Sequence, residues 1–194
     1  MFINWRLREL NLKIVYYGPA LGGKTTNLQY IHSKTDPRIR SEMVSLKTRG
    51  DRTLYFDFLQ LELGRVAGLK PRFNLYTVPG QTYYTSTRKL VLQGVDGIVF
   101  VADSQAHRLE ENRESFWEMR RNLRELGYDP ESMPLVLQCN KRDLPNILSV
   151  STIHEHLGLN GVPCLESIAI RGVGVFETLK TIINLVVAKA QQQL

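Results

Sequence analysis

Residues Leu10–Thr25 read LNLKIVYYGPALGGKT. The first eight residues are largely apolar and strand-forming, and Gly18-Pro19 cuts them off, so the spacing predicts a strand that runs into a loop. The loop, Gly18 to Thr25, fits G-x-x-x-x-G-K-[ST]. Beyond it, Lys24 to Lys34 places Leu28 and Ile31 at helical spacing. Strand, glycine loop and helix together are the context in which this pattern cradles phosphate. The glycines let backbone N–H groups wrap anionic oxygens, and the helix N-terminus adds partial positive charge. Lys24 is expected to reach the β- and γ-phosphates, and the Thr25 hydroxyl to bind Mg²⁺. Nucleotide contact is therefore expected along Gly18, Ala20, Leu21, Gly22, Gly23, Lys24, Thr25 and Thr26.

Outward from that loop, strands alternate with helices. Residues 35 to 52 are polar, contain Pro37 and Gly50, and read as a long loop, a kind that tends to be functional. Leu54 to Leu63 and Pro71 to Val78 read as an antiparallel hairpin turned at Gly64 and Gly68. Val95 to Ala102 and Leu135 to Cys139 are the near-continuous apolar runs of strands buried on both faces. His107 to Leu126 carries an apolar stripe and reads as a helix, capped by Asp103 or Ser104. Ser149 to Leu157 is a short helix, Val162 to Ile168 a sixth strand, and Phe176 to Ala190 a striped terminal helix. The fold class is α/β: a six-stranded, mostly parallel sheet with one antiparallel strand and helices on both faces. One domain spanning 1–194 is expected.

A second motif, Asn140-Lys141-Arg142-Asp143, follows the strand LVLQC at the carboxyl edge of the sheet, where ligands bind in this architecture. The Asp143 carboxylate can accept two N–H bonds from guanine, where adenine would present a lone pair. Groups built for one hydrogen-bond pattern discriminate by ~10⁴ or more. Asn140 would brace the neighbouring loop, and the Lys141 stem would lie over the base.

Bulk properties exclude several classes. Of 194 residues, 43% are hydrophobic and 23% charged, ordinary for a globular chain that needs no disulfide staples. Cys139 and Cys164 have no C-x-x-C spacing, so neither zinc nor a disulfide framework is signalled and a reducing compartment fits. The opening MFINWRLREL lacks the apolar core of a signal peptide, and no apolar run reaches the ~20 residues of a membrane span. The net charge of +6 is dispersed and comes with no stacking platform, so no specific nucleic-acid partner is expected. His154 and His156 lie two apart and so point to different sides of a helix, which makes no metal site.

The remaining signal is Leu75–Gln81, LYTVPGQ. It reads as a strand that stops in a Pro-Gly loop, and Gln81 stands where phosphate-cleaving switch proteins position an attacking water. Most of them keep an acid before that loop to help hold the metal; Thr77 occupies the place here. Composition does not choose which loop threonine completes the metal shell: Thr35, Thr48 and Thr53 all qualify.

Taken together, KIVYYGP with GKTTNLQYI, DRTLYFDF, LYTVPGQ, RKLVLQGVDGIVFVADSQ, NKRDLP and GVGVFETLK make the chain resemble a Ras-type small GTPase over nearly its whole length. The finer pattern is closest to the bacterial MglA family of polarity and gliding-motility GTPases. The resemblance implies that Thr77 is the family's ordinary residue, its hydroxyl holding a magnesium-bound water. It selects Thr53 as the loop ligand beside Thr25, makes Arg52 an arginine finger supplied in cis, and gives Gln81 the attacking water. It also implies nucleotide contacts from Gly80 and from the Ala169 backbone N–H. Ala20 replaces a glycine usual in that family, and its methyl is expected to crowd the γ-phosphate and slow hydrolysis.

The function so implied is a cytoplasmic GTP-binding switch that hydrolyses GTP to GDP with Mg²⁺, slowly without help. A roadblock-type MglB-like co-activator dimer is the implied partner, with recruitment to a cell pole and control of polarity or motility. Two rival readings are a GTP-binding interaction module with little hydrolysis and an ATP-using P-loop enzyme. Asn140 to Asp143 argues against the latter.

Overall fold

The computed structural model describes residues 1–46, 56–80 and 85–193. In chain order the elements are β1 (Phe2–Asn4), β2 (Glu9–Tyr17), α1 (Lys24–Lys34), β3 (Val44–Leu46), β4 (Phe56–Glu62), β5 (Lys70–Thr77) and α2 (Thr85–Leu92). They continue with β6 (Gly97–Asp103), α3 (Leu109–Glu125), β7 (Leu135–Asn140), α4 (Val150–His156), β8 (Cys164–Glu166) and α5 (Val175–Gln191). One sheet runs β3-β4-β5-β2-β6-β7-β8, with β1 paired antiparallel to β2. The run β5-β2-β6-β7-β8 is parallel, and β4 turns antiparallel against β5.

The six strands read in the sequence are all present. Two three-residue strands join them. β1 pairs Phe2 with Asn11, and β3 pairs Val44 with Phe58 from within the polar loop. Three residues are too few to display a period-2 pattern. The sequence TSTRKLVL gave no helical reading, yet it forms α2 and buries Val91 and Leu92 against the sheet. The expected caps of the long central helix are not caps. A 3₁₀ turn, Ala106–Arg108, precedes α3, and Arg108 stands at the N-cap position without a side-chain capping bond. Asp103 is used elsewhere, as described below.

The core lies in two layers. Leu28 and Ile31 of α1 join Val175, Leu179 and Ile182 of α5 against one face of β2 and its neighbours. Phe116, Met119 and Leu123 of α3 and Ile153 of α4 cover the other face, with Phe116 edge-on to Phe100 at 5.1 Å. Strands β6 and β7 are buried along their whole length, which is why their sequences read as unbroken apolar runs. The chain passes from β2 to β5 on one side and returns to β6 on the other. That reversal opens a crevice at the carboxyl end of β2.

Candidate nucleotide site

The loop after β2 fills that crevice. Helix α1 begins at Lys24 behind Gly23, and no side chain caps it. Its first N–H groups therefore point into the crevice without an intrahelical or capping partner. A Cβ on Gly23, at φ 102°, would lie 2.2 Å from Asn140 Nδ2, so only glycine fits there. Leu21 takes φ 60° and is 85% exposed, presenting loop backbone rather than a packed side chain. Lys24 is buried, and its Nζ donates to Gly18 O at 2.9 Å and Pro19 O at 2.6 Å. An ammonium has three donors, so one is left for an anion. Burial lowers the Lys24 pKa to about 7, the Arg88 and Arg108 cations push the same way, and Asp57 partly opposes them. Arg108 also donates to Ala20 O at 2.7 Å. Two guanidinium groups, Arg88 and Arg108, therefore lie near enough to act on the Lys24 amine. A cavity of about 440 Å³ opens beside it, lined among others by Lys24, Thr25, Ser45, Asp57, Thr77 and Gly80.

Asp57 is the residue that sequence reasoning missed. It sits in β4, nearly buried, in the stretch FDFLQLE. Its Oδ2 accepts from Thr25 Oγ1 at 2.6 Å and from Thr77 Oγ1 at 2.9 Å, and its Oδ1 accepts from Ser45 Oγ at 2.6 Å. The carboxylate absent at position 77 is therefore supplied from the adjacent strand. The available signal was an acid in phase with the inward-facing Leu59 and Leu61, which costs free energy to bury unless it has partners.

The second motif lies across the same crevice. Asn140 Nδ2 donates to Gly22 O at 2.9 Å, while its Oδ1 accepts from Ser167 Oγ and from Ala169 N, both at 2.9 Å. One amide ties the phosphate loop to the loop after β8. The Ala169 N–H expected to meet a base carbonyl is given to Asn140 in this structure, so a base would have to share or displace that bond. Lys141, at φ 64°, pairs its Nζ with the fully buried Asp103 at 2.7 Å, which positions its stem, while Asp103 Oδ1 accepts from Gln105 N at 3.1 Å ahead of the 3₁₀ turn rather than at α3 itself. Asp143 is accessible, with Arg171 Nη2 3.7 Å away. Leu21, Gly23, Lys24, Thr25 and Thr26 line the cavity, Gly18, Ala20 and Gly22 lie in the same loop, and Asn140 joins that loop to Ala169, with Lys141 and Asp143 following Asn140 in the chain. Arg52, Thr53 and Gln81 lie outside the described residues, as do Thr48, Tyr83 and Tyr84.

Among the described residues no cluster of three or more His, Cys, Asp or Glu side chains forms a metal cage. None of the described helices is long and apolar enough to cross a membrane. Cys139 and Cys164 are free thiols.

Comparison with known proteins places this arrangement. Residues 1–186 match the model of the ADP-ribosylation factor family. The chain is 53% identical over 191 residues to the mutual gliding-motility protein MglA of Myxococcus xanthus, covering 98% of each chain. It is 27% identical over 151 residues to ADP-ribosylation factor-like protein 6 of Caenorhabditis briggsae, covering 77% of this chain and 70% of that protein. With human ADP-ribosylation factor-like protein 4D it shares 24% over 169 residues, covering 87% and 76%.

Proposed function

The chain belongs to the ADP-ribosylation factor family and is a small GTP-binding switch with GTPase activity, and from that premise we propose how its residues divide the work. The observation that carries the proposal is the Asn140 bridge. It holds an uncapped, lysine-bearing phosphate loop and an Asp143-bearing base loop in one crevice. Asp143 reads guanine through its two N–H donors, and the Lys141 stem, held by Asp103, lies over the base. The third Lys24 donor and the α1 N-terminus take the phosphates.

The donor set suits Mg²⁺, which takes few protein oxygens and completes its shell with phosphates and water. Thr25 Oγ1 gives its hydrogen to Asp57, which turns the oxygen's lone pairs outward for a cation. Thr25 and Thr53 are the direct protein ligands in this proposal; Asp57 supplies charge behind Thr25, and the neutral Thr77 hydroxyl is hydrogen-bonded to that carboxylate. When bound, the ion neutralises charge between the β- and γ-phosphates. Gln81 orients the attacking water, and Arg52 steadies transition-state charge from within the same chain. Gly80 contributes a backbone N–H.

By its likeness to a gliding-motility protein, the switch serves cell polarity or motility. It acts in the cytoplasm, is recruited to a cell pole, and partners a roadblock-type dimer like MglB. Residues 1–194 act as one G domain. A second reading, a GTP sensor that scarcely hydrolyses, draws on the tight packing of Gly80 against Ala20.

The test has two arms. The nucleotide that co-purifies is identified, and GTP binding is competed with ATP. Single-turnover hydrolysis is then followed with and without the dimer. Guanine nucleotide as purified, no ATP competition, and stimulation lost by ~10³ in Arg52→Ala would support the division of roles. Equal affinity for ATP and GTP would overturn the base reading. Full stimulation of Arg52→Ala would move the finger to the partner.

A further inference from the structure

Arg88 heads the fully buried side chains of the described residues by volume. It lies in α2, eight residues past Gly80, and its guanidinium reaches back beneath the Pro-Gly loop. Nε donates to Pro79 O at 2.8 Å, and Nη2 donates to Gly80 O at 2.6 Å. Nη1 is ion-paired with the carboxylate of Glu118 on α3, and the cation lies 5.9 Å from the Tyr17 ring centre. A buried guanidinium carries a large desolvation cost, and apolar residues would join α2 to α3 as well or better. Such a charge is explained by what it orients. Its planar fork fixes two successive carbonyls at once, which a flexible ammonium does not do.

The orientation follows from peptide geometry. No cis peptide occurs among the described residues, so the Gly80 N–H points opposite to Pro79 O. With Pro79 O drawn toward Arg88, that N–H faces away from it. Gly80 also abuts the phosphate loop: a Cβ on it would lie 2.3 Å from Ala20 Cα and 3.0 Å from Lys24 Nζ. Gly80 is thus held between the guanidinium and the cavity edge.

We propose that Arg88, anchored by Glu118, is a positioning residue for GTP hydrolysis. It fixes the Pro79–Gly80 peptide so that the Gly80 N–H faces the terminal phosphate and the chain enters Gln81 from a set place. The inference rests on the hydrolysis reading above and adds to it a residue that touches neither nucleotide nor water. It also links the site to α3 through Glu118.

The test compares Arg88→Lys, which keeps the charge but loses the fork, with Glu118→Gln, which keeps a neutral acceptor. Three quantities are read: the single-turnover rate at saturating GTP, GTP affinity and GDP affinity. For Arg88→Lys the rate should fall by about tenfold or more, since a preorganised donor to the transition state is displaced. GTP affinity should fall severalfold, and GDP affinity should stay within about threefold, because GDP lacks the phosphate that Gly80 meets. Glu118→Gln should show the same pattern at smaller amplitude. If Arg88→Lys does not fold, Glu118→Gln carries the test alone. An unchanged rate and GTP-over-GDP preference in a folded variant would overturn the proposal. So would parallel losses of rate and GDP affinity, which mean a merely structural residue. A wild-type protein that binds GTP without hydrolysing it would remove the hydrolysis reading, while loss of GTP-over-GDP preference in the variants would still report on the Gly80 contact.

Discussion

Asp57 and Thr77 face each other across β4 and β5 and exchange two hydrogen bonds, Asp57 N–H to Thr77 Oγ1 and Thr77 Oγ1–H to Asp57 Oδ2, each at 2.9 Å. The threonine is therefore matched to an acid already present, and an acid in its place would not suit this site. In Thr77→Asp two carboxylates would meet within a few ångströms, where both do not ionise readily. The pair's folded pKa rises above the unfolded value of ~3.9, so the cost appears above that pH and grows toward neutrality. Melting temperature should fall more at pH 8 than at pH 5, and Asp57→Asn in the same chain should restore it. A Thr77→Asp variant as stable as wild type at pH 8 would show that the pair is looser than its geometry.

The Lys24 amine has a pKa lowered to about 7, because it is buried beside Arg88 and Arg108. A bound phosphate favours the ammonium and raises that value. Nucleotide binding should then take up a proton, and affinity should fall as pH rises from about 7.5 to 9. Calorimetry in two buffers of different ionisation enthalpy measures the proton count directly. Proton release, or affinity that rises over that range, would mean that the Lys24 amine is already protonated before nucleotide arrives.

Much of this site is legible in the sequence because its chemistry is local. The phosphate loop is eight consecutive residues, and Asn140 to Asp143 is four. Asp57 is not legible, because its meaning comes from β4 lying antiparallel on β5, which brings a residue 20 positions away against Thr77. Arg88 is hidden likewise: TSTRKL has weak helical propensity and no apolar period, so neither α2 nor the burial of its arginine could be inferred. Strands β6 and β7 announced themselves by unbroken apolar runs, whereas β1 and β3 are too short to do so.

Asp143 should decide the base. Asp143→Asn replaces two acceptors by an acceptor and a donor, which suits the extra carbonyl of xanthine. GTP affinity should drop by ~10² or more while xanthosine triphosphate binds more tightly than to wild type, as competition against a fluorescent nucleotide would show. Loss of both nucleotides together would mean that Asp143 holds its loop rather than the base.

Below the phosphate loop, Gln138 Nε2 donates to Asn27 Oδ1 and Thr178 Oγ1, both at 3.0 Å, and Asn27 Nδ2 donates to Gln138 Oε1 at 2.9 Å. All three residues are fully buried and join α1, β7 and α5. Gln138→Leu strands two buried polar partners and should cost about 2–6 kcal/mol in denaturant unfolding, each stranded group contributing ~1–3 kcal/mol. Gln138→Leu combined with Asn27→Leu should cost less than the sum of the two single changes. Strict additivity would show that the residues act independently.

Gly80 and Ala20 provide the sharpest test of the loop. A Cβ on Gly80 would lie 2.3 Å from Ala20 Cα and 2.6 Å from Ala20 N, so the conflict is with backbone and not with the Ala20 methyl. Gly80→Ala must then push the Pro-Gly loop off the phosphate loop and pull against the Arg88 bonds. Hydrolysis should fall by ~10², the scale of losing one preorganised donor. Ala20→Gly alone should speed hydrolysis severalfold, since it frees space where the γ-phosphate enters, and should leave GDP affinity nearly unchanged. In the double variant the Gly80→Ala defect should persist, because removing the methyl leaves the offending Cα and N in place. If Ala20→Gly instead brought Gly80→Ala back to within about threefold of wild type, the coupling energy would lie in the methyl and the backbone contact would not govern the loop.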